Sequence, residues 1–406
     1  MRTSPLFHFI ATAVWAALAL AGSTTAARAQ TWTLTSAPSN AWYSVASSAD
    51  GTALVAVANP GPIYTSSDSG LTWHASDAPP TNWWGVASST NGQNLVAAAN
   101  PGGIYTSSDG GATWVVTSAP SGQWYDVASS ADGTQLAAQT WITAGQGGGS
   151  GLTEFSTNSG KTWTSIQTPN AFWSCLAASW DGSLWFAGTD EGAICTSAGS
   201  GFDWLPSESP TGLWNAIASS ADGSKLVAAT EFGGPLYVSA DSGATWNDNG
   251  SPVGPSWTSV ATSSDGVILV ACASQDDVGN GGNIYISTNS GTVWVPAGAP
   301  TRAWRGVASS ADGTKLVAVD SGGGIYTLQT SSTPPPPSLQ CVLSGNGALV
   351  SWPSSASSAG WALWQTPSLS APSWAASGDP VVTSGSLSTV TVTPPAGTLY
   401  FQLRHP

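Results

Sequence analysis

Carboxylates in pairs can do acid–base chemistry: across a cleft, one protonates a glycosidic oxygen while the other serves as base or nucleophile. The chain places acids outside its regular pattern at Asp190, Glu191, Glu231, Asp276, Asp277 and Asp320, and a solitary indole at Trp141. The same groups suit a second role. An aromatic platform with a few convergent polar side chains holds a sugar or a peptide without reacting with it. Glu154 occupies a strand position held elsewhere by Tyr64, Tyr105, Tyr237, Tyr285 and Tyr326, where burial would raise its pKa. Other chemistries lack their residues. His74 is the lone histidine of the repeat region, with His8 and His405 near the termini, so no zinc cluster forms. Asp276-Asp277-Val278-Gly279-Asn280 offers oxygen ligands without EF-hand spacing. There is no GxSxG, P-loop or dinucleotide fingerprint, and the glycines of 145–150 have no lysine or following helix with which to bind phosphate. The expectation is no cofactor and no metal.

What must position these groups is a repeat. Trp42, Trp83, Trp124, Trp173, Trp214, Trp257 and Trp304 open copies spaced 41, 41, 49, 41, 43 and 47 residues apart. An apolar strand follows each and ends in a turn: Asp50-Gly51, Asn91-Gly92, Asp132-Gly133, Asp181-Gly182, Asp222-Gly223, Asp265-Gly266 and Asp312-Gly313. Such pairs tolerate the positive φ of a tight hairpin. A second strand and a third, ending in Ile-Tyr or its equivalent, lead to the pattern S-x-D-x-G-x-T-W. It is complete as Ser66, Asp68, Gly70 and Trp73, as Ser107, Asp109, Gly111 and Trp114, and as Ser239, Asp241, Gly243 and Trp246. It persists with asparagine at 156–163 and 287–294, and only Ser197, Gly201 and Trp204 survive in the fourth copy. The short acid can bond backbone N–H groups across a turn and the tryptophan can start a fourth strand, which is structural work.

Four strands in a period of about 40 residues predict a β-propeller. The seventh copy stops after Ile325-Tyr326, and Thr31-Trp32-Thr33-Leu34 at the other end resembles its missing strand. The predicted fold is therefore all-β: a seven-bladed β-propeller over residues 30–328, closed by an N-terminal strand. A proline-rich linker follows at 329–338. Short alternating runs at 339–406 predict a small β-sandwich. In a four-strand meander the Asp-Gly turns and S-x-D-x-G-x-T-W turns share one face. The second-to-third-strand loops and blade linkers share the other, and Trp141 and all six irregular acids fall on this variable loop face. The seven opening tryptophans start the innermost strands, where they wedge adjacent blades and fill the core.

Only 7% of residues are charged and the net charge is −14, which argues against nucleic acid and anionic membranes as partners. Residues 1–29 read as a secretory signal: Arg2, an apolar run over 6–21, and Ala27-Arg28-Ala29 before Gln30. Its removal would leave no membrane span, so a secreted, periplasmic or cell-surface location and a monomeric state are expected. Cys175 and Cys195 fall on the first and third strands of one blade, about 10 Å apart at two strand spacings, too far for a disulfide. Buried free thiols are expected.

The S-x-D-x-G-x-T-W pattern and the seven-fold period resemble the BNR/Asp-box propellers, a superfamily of sialidases, xyloglucan-active glycosidases, sortilin-like receptors and photosystem II assembly factors. The resemblance covers 31–328. The tail, ending Tyr400-Phe401-Gln402-Leu403-Arg404, looks like the fibronectin-III-like modules of secreted bacterial proteins. Sialidases of the superfamily grip a carboxylate with three arginines, yet only Arg302 and Arg305 lie in this propeller. The functional expectation is a secreted, non-catalytic recognition or scaffold propeller that binds a polysaccharide or an exported protein through its variable loop face. The alternative is a glycoside hydrolase of the Asp-box type.

Overall fold

The computed structural model describes residues 2–3, 7–10, 31–140, 152–167, 172–190, 192–199, 203–248, 250–275, 280–329, 340–344, 347–353, 362–366, 375–384, 387–392 and 398–405. The chain divides into two units, one within Ala29–Thr330 and one drawn from Ser331–Pro406 and Met1–Arg28.

The larger unit is the propeller. Its first blade is an antiparallel meander of Trp42–Ser47, Leu54–Ala58, Ile63–Ser66 and His74–Ala75. The first strands of the later blades are Trp83–Ser88, Trp124–Ser129, Phe172–Ala178, Trp214–Ser219, Ser256–Thr262 and Trp304–Ser309. Each contacts the next around the ring, and Trp304–Ser309 returns to Trp42–Ser47. The second strand shows why the blades need one another. All five residues of Leu54–Ala58 are buried, because both of its faces meet a neighbouring blade. Leu54, Ala56 and Ala58 face Val317, Val319 and Ile325 of blade 7, whereas Val55 and Val57 face Trp83, Val86 and Leu95 of blade 2. Seven apolar clusters of this kind fill seven seams, each wedged by an opening tryptophan no more than 3% exposed.

The Asp-Gly turns add a feature that the sequence did not disclose. The residue before each turn's Asp or Asn donates its backbone N–H to the carbonyl of its counterpart in the next blade. Ala49 bonds Thr90, then Ala131, Trp180, Ala221, Ser264 and Ala311 follow, and Ala311 donates back to Ala49, all at 2.7–2.8 Å. The circle closes around the axis and narrows that mouth to a cavity of about 110 Å³. Each turn is locked from within. Ser48 Oγ donates to Asp50 Oδ1 at 2.6 Å, which also accepts from the Thr52 N–H at 2.9 Å, and Gly51 takes φ 67°.

Blade 7 combines Trp304–Ser309, Lys315–Asp320 and Ile325–Gln329 with Thr33–Leu34 from the other end of the unit, which pairs Leu34 with Tyr326 and Thr33 with Thr327. Closure by the N-terminal strand is thus observed. One blade departs from the expected six complete copies: blade 5 is three-stranded, and only a single bridge, Val238 to Asn247, stands for its fourth strand. After Trp246 the chain reads Asn-Asp-Asn-Gly, residues that favour turns and have no apolar face to extend a sheet.

The smaller unit has two antiparallel sheets. One orders Gln340–Ser344, Gly347–Pro353, Leu387–Val392 and Val382–Ser384. The other orders Ala375–Ala376, Ala362–Thr366 and Thr398–His405, with Arg2–Thr3 and Phe7–Ile10 paired to the far side of the last strand. Val350, Trp352 and Val390 of the first sheet and Leu363 and Phe401 of the second are buried, as a small sandwich requires. Among the described residues no helix is long and apolar enough to cross a membrane.

Trp32 anchors the closing strand. It is 6% exposed, donates from Nε1 to the Ala297 carbonyl at 3.2 Å, and its ring lies 6.2 Å from that of Trp304. Trp32→Ala should cost about 3–5 kcal/mol, read as a lower urea midpoint of the propeller. Leu34→Ala, at a side chain 57% exposed, should stay within about 0.5 kcal/mol. Equal midpoints for the two variants would mean that the ring does not depend on this strand.

Candidate functional site

Every inner strand begins with the same irregularity. Pairing with the second strand skips the residue just after the opening tryptophan, between Trp42 and Ser44, Trp83 and Gly85, Trp124 and Asp126, and so on to Trp304 and Gly306. Such a bulge turns a side chain out of the sheet. The skipped residues are Tyr43, Trp84, Tyr125, Ser174, Asn215, Thr258 and Arg305, and all seven line one axial pocket of about 690 Å³. The pocket lies on the loop face, because the opening tryptophan pairs with the end of the second strand, as Trp42 does with Ala58.

The seven positions divide chemically. On blades 4, 5 and 6 each side chain donates to the carbonyl of the next opening tryptophan: Ser174 to Trp214, Asn215 Nδ2 to Trp257 at 2.6 Å, and Thr258 to Trp304 at 3.0 Å. On blades 7, 1, 2 and 3 the link is made through π systems. The Arg305 guanidinium lies 5.8 Å from the Tyr43 ring centre, Tyr43 lies 5.0 Å from Trp84, and Trp84 lies 4.9 Å from Tyr125. Half of the pocket wall is therefore an aromatic arc ending in a cation. The inner strands approach closely enough at Gly85 that an added Cβ would come within 3.2 Å of the Val127 nitrogen.

Asp126, next to Tyr125, also lines the pocket. Its Oδ1 accepts from the Val127 N–H and its Oδ2 from the Leu176 N–H of blade 4, both at 2.9 Å. Ser259 does the same job one seam before the closure, accepting from the Val307 N–H at 3.2 Å. Burial pushes the Asp126 carboxyl up to about 7 in spite of its two donors. Burial also raises Tyr43, against the opposing charge of Arg305, raises Tyr125, and pushes the Cys175 thiol up to about 12. Asp126 is then only partly ionised at neutral pH, and Arg305 and Glu231 also line the pocket.

The residues singled out by sequence are distributed differently. Glu231 borders the pocket. Asp320 is 1% exposed and pairs with Arg302 at 3.6 Å, and Arg302 in turn lies over the Tyr326 ring, so this carboxylate faces the protein and not the pocket. Asp190 ends the strand Leu184–Asp190, opposite Phe172. Trp141, Glu191, Asp276 and Asp277 lie outside the described residues. The carboxylates of the S-x-D-x-G-x-T-W segments are committed to their turns. Asp68 accepts from Ser66 Oγ, the Thr72 N–H and Thr72 Oγ, while Trp73 Nε1 donates to the Gly70 carbonyl at 3.2 Å. Asp109 and Asp241 repeat the arrangement. Hydrogen bonds from Thr72 and Thr113 hold Asp68 and Asp109 down to about 2. Glu154 is buried, accepts from Ser165 Oγ, and has its pKa raised by burial.

Cys175, Cys195 and Cys272 are free thiols. The opening tryptophans are buried in the seams, and the residues beside them supply the pocket's arc instead. The available signal was variation: each opening Trp recurs, while its successor changes from Tyr to Trp, Ser, Asn, Thr or Arg.

Asp126 gives a pH test with a definite sign. The unfolded carboxyl titrates near about 4 and the folded one at about 7. Between those values the native state holds a proton that the unfolded chain lacks, so this group makes stability fall as pH rises through that window. Asp126→Asn should abolish that component. Relative to the parent, the variant's urea midpoint should rise from about pH 4 to about pH 7 and then level. Parallel midpoint curves for parent and variant would show that Asp126 titrates normally.

No protein-family model matches the chain, and no curated protein sequence matches it. Solved structures do. A structure titled "YCF48 bound to D1 peptide" has a TM-score of 0.55 at 14% identity, covering 75% of this chain and 96% of that one. YCF48 from Cyanidioschyzon merolae has a TM-score of 0.55 at 16% identity, covering 74% and 99%. The Cps50 (Swd1) β-propeller domain of Myceliophteria thermophila has a TM-score of 0.56 at 13% identity, covering 72% and 98%. Likeness at these identities extends to the fold, and the fold is a β-propeller.

Proposed function

We propose that this chain is a non-catalytic recognition propeller that holds an extended segment of an exported protein in the axial pocket of its loop face. The observation that carries the reading is the arc Arg305–Tyr43–Trp84–Tyr125, which presents aromatic surface and a guanidinium along one half of a pocket of about 690 Å³. Buried aromatic and arginine anchors are the groups that dominate protein recognition. Across the pocket, Ser174, Asn215 and Thr258 direct their donors to backbone carbonyls. Ser256, Ser274 and Gln275 also line that side, so the reading rests on the aromatic arc and not on a lack of polar groups. That a YCF48 propeller has been solved with a D1 peptide is further support, since the same fold can present a peptide site.

Two features favour binding over hydrolysis. Asp126 has both oxygens bonded to backbone N–H groups and so is a poor partner for a second carboxylate across a cleft. The acids of the S-x-D-x-G-x-T-W turns accept hydrogen bonds within their own segments. On this reading the chain is exported after loss of residues 1–29, belongs with the Asp-box propellers, and carries a fibronectin-III-like module at 339–406.

The test is a peptide array and a polysaccharide array probed in parallel with the full chain and with its Trp84→Ala variant. Peptide signals that fall at least about tenfold in the variant, equivalent to about 1.4 kcal/mol, are expected, with unchanged signal from the polysaccharides. Thermal unfolding of both proteins checks that the variant folds. Binding confined to polysaccharides, or peptide binding indifferent to Trp84, would overturn the proposal.

A further inference from the structure

One residue of the pocket violates its own backbone preference. Phe232 sits at φ 55°, a left-handed conformation that costs a bulky side chain, and is 75% exposed. Neither apolar burial nor turn chemistry calls for phenylalanine at that point. The loop is nevertheless fixed around it: the Gly254 N–H donates to the Gly233 carbonyl at 2.8 Å, Trp257 Nε1 to the Gly234 carbonyl at 2.9 Å, and Thr230 Oγ1 to the Pro235 carbonyl at 3.0 Å. The ring is thus held out at the pocket mouth by a braced loop. The matching loops of blades 1, 2 and 7 read Asn59-Pro60-Gly61, Asn100-Pro101-Gly102 and Ser321-Gly322-Gly323, without an aromatic residue.

Phe232 belongs to blade 5, and in a seven-fold ring blade 5 stands opposite the seam between blades 1 and 2. That seam carries Tyr43 and Trp84, and all three side chains line the same pocket. Extending the peptide-binding reading above, we infer that the pocket takes a basic side chain, lysine or arginine, of an extended protein segment, inserted between Phe232 and the Tyr43–Trp84–Tyr125 arc and beside Asp126.

Three observations select a cation. The arc already holds one, since the Arg305 guanidinium lies over Tyr43, and the ring faces of Trp84 and Phe232 offer the same quadrupole attraction. Carboxylates border the space from two sides, Asp126 on blade 3 and Glu231 beside Phe232 on blade 5. The whole chain carries a net charge of −14, which steers cations inward at long range. Arg305 is the opposing charge, at the blade 7 end of the arc.

The experiment uses the full chain and labelled peptides of one glycine–serine backbone whose central residue is Arg, Lys, Glu or Tyr, with affinity read by fluorescence polarisation. Arg and Lys peptides should bind at least about tenfold more tightly than the Glu peptide, and the advantage should shrink with added salt. Phe232→Gly, which relieves the positive φ, should fold at least as well as the parent yet lose about tenfold in affinity for the Arg peptide. The Arg-peptide affinity should also rise from about pH 6 to about pH 8 as Asp126 ionises, and Asp126→Asn should flatten that rise. Facing Asp126 are Tyr43 and Cys175, whose hydroxyl and thiol are raised by burial and stay neutral in this range. Tighter binding of the Glu peptide, or no effect of Phe232→Gly, would overturn the inference. Peptide binding that depends on Trp84 without preference for a basic residue would refute the cation alone. Absence of all peptide binding would refute the parent reading with it.

Discussion

The circle of backbone hydrogen bonds from Ala49 through Ala311 and back to Ala49 is the constraint on which the remaining geometry depends. Each N–H in that circle has its partner in the next blade, so the circle can be complete only if the number of blades and the tilt between them agree. It fixes the inner strands at their far ends, next to the Asp-Gly turns. Small side chains then let the blades approach: alanines at Ala97, Ala98 and Ala99 are buried in blade 2, where larger residues would push adjacent sheets apart. The other ends of the same strands, anchored by buried tryptophans, open into a pocket whose lining residues are free to differ.

That division explains what the sequence disclosed and what it did not. The seams repeat because the same packing problem recurs seven times, so tryptophan spacing, Asp-Gly turns and the displaced closing strand at Thr33–Leu34 were legible before any coordinates. The loss of a fourth strand from blade 5 was not, although its S-x-D-x-G-x-T-W segment is complete, because the segment specifies a turn and leaves pairing to the residues after it. The bulge after each opening tryptophan has no residue signature. Tyr43, Trp84 and Arg305 read as ordinary alternating positions of a strand until the skipped pairing turns them toward the axis. Phe232 misleads in the opposite way, since positive φ is foreseen for glycine or asparagine and not for phenylalanine. The irregular acids stand apart in the sequence only by their charge, and Asp320 is an internal partner of Arg302. Glu154, conspicuous for replacing a tyrosine, is likewise an internal group bonded to Ser165.

Asp126 shows how a functional demand can be separated from a structural one within a repeat. Its counterpart Ser259 accepts a backbone N–H from the neighbouring blade as Asp126 does, and it carries no charge. A hydroxyl therefore suffices for the seam. A carboxyl in the same position adds a desolvation penalty large enough to push its pKa up to about 7. Serine supplies the cross-blade bond alone, and the carboxyl adds one from the Val127 N–H of its own strand at the cost of that penalty. The same reasoning applies to Phe232, whose strained backbone and exposed ring serve no packing purpose in blade 5. Two independent departures from the cheapest structural solution border one pocket, Asp126 at the blade 3 end of the aromatic arc and Phe232 across from it on blade 5. Both lie at the axial mouth of the loop face, where the repeat ceases to repeat.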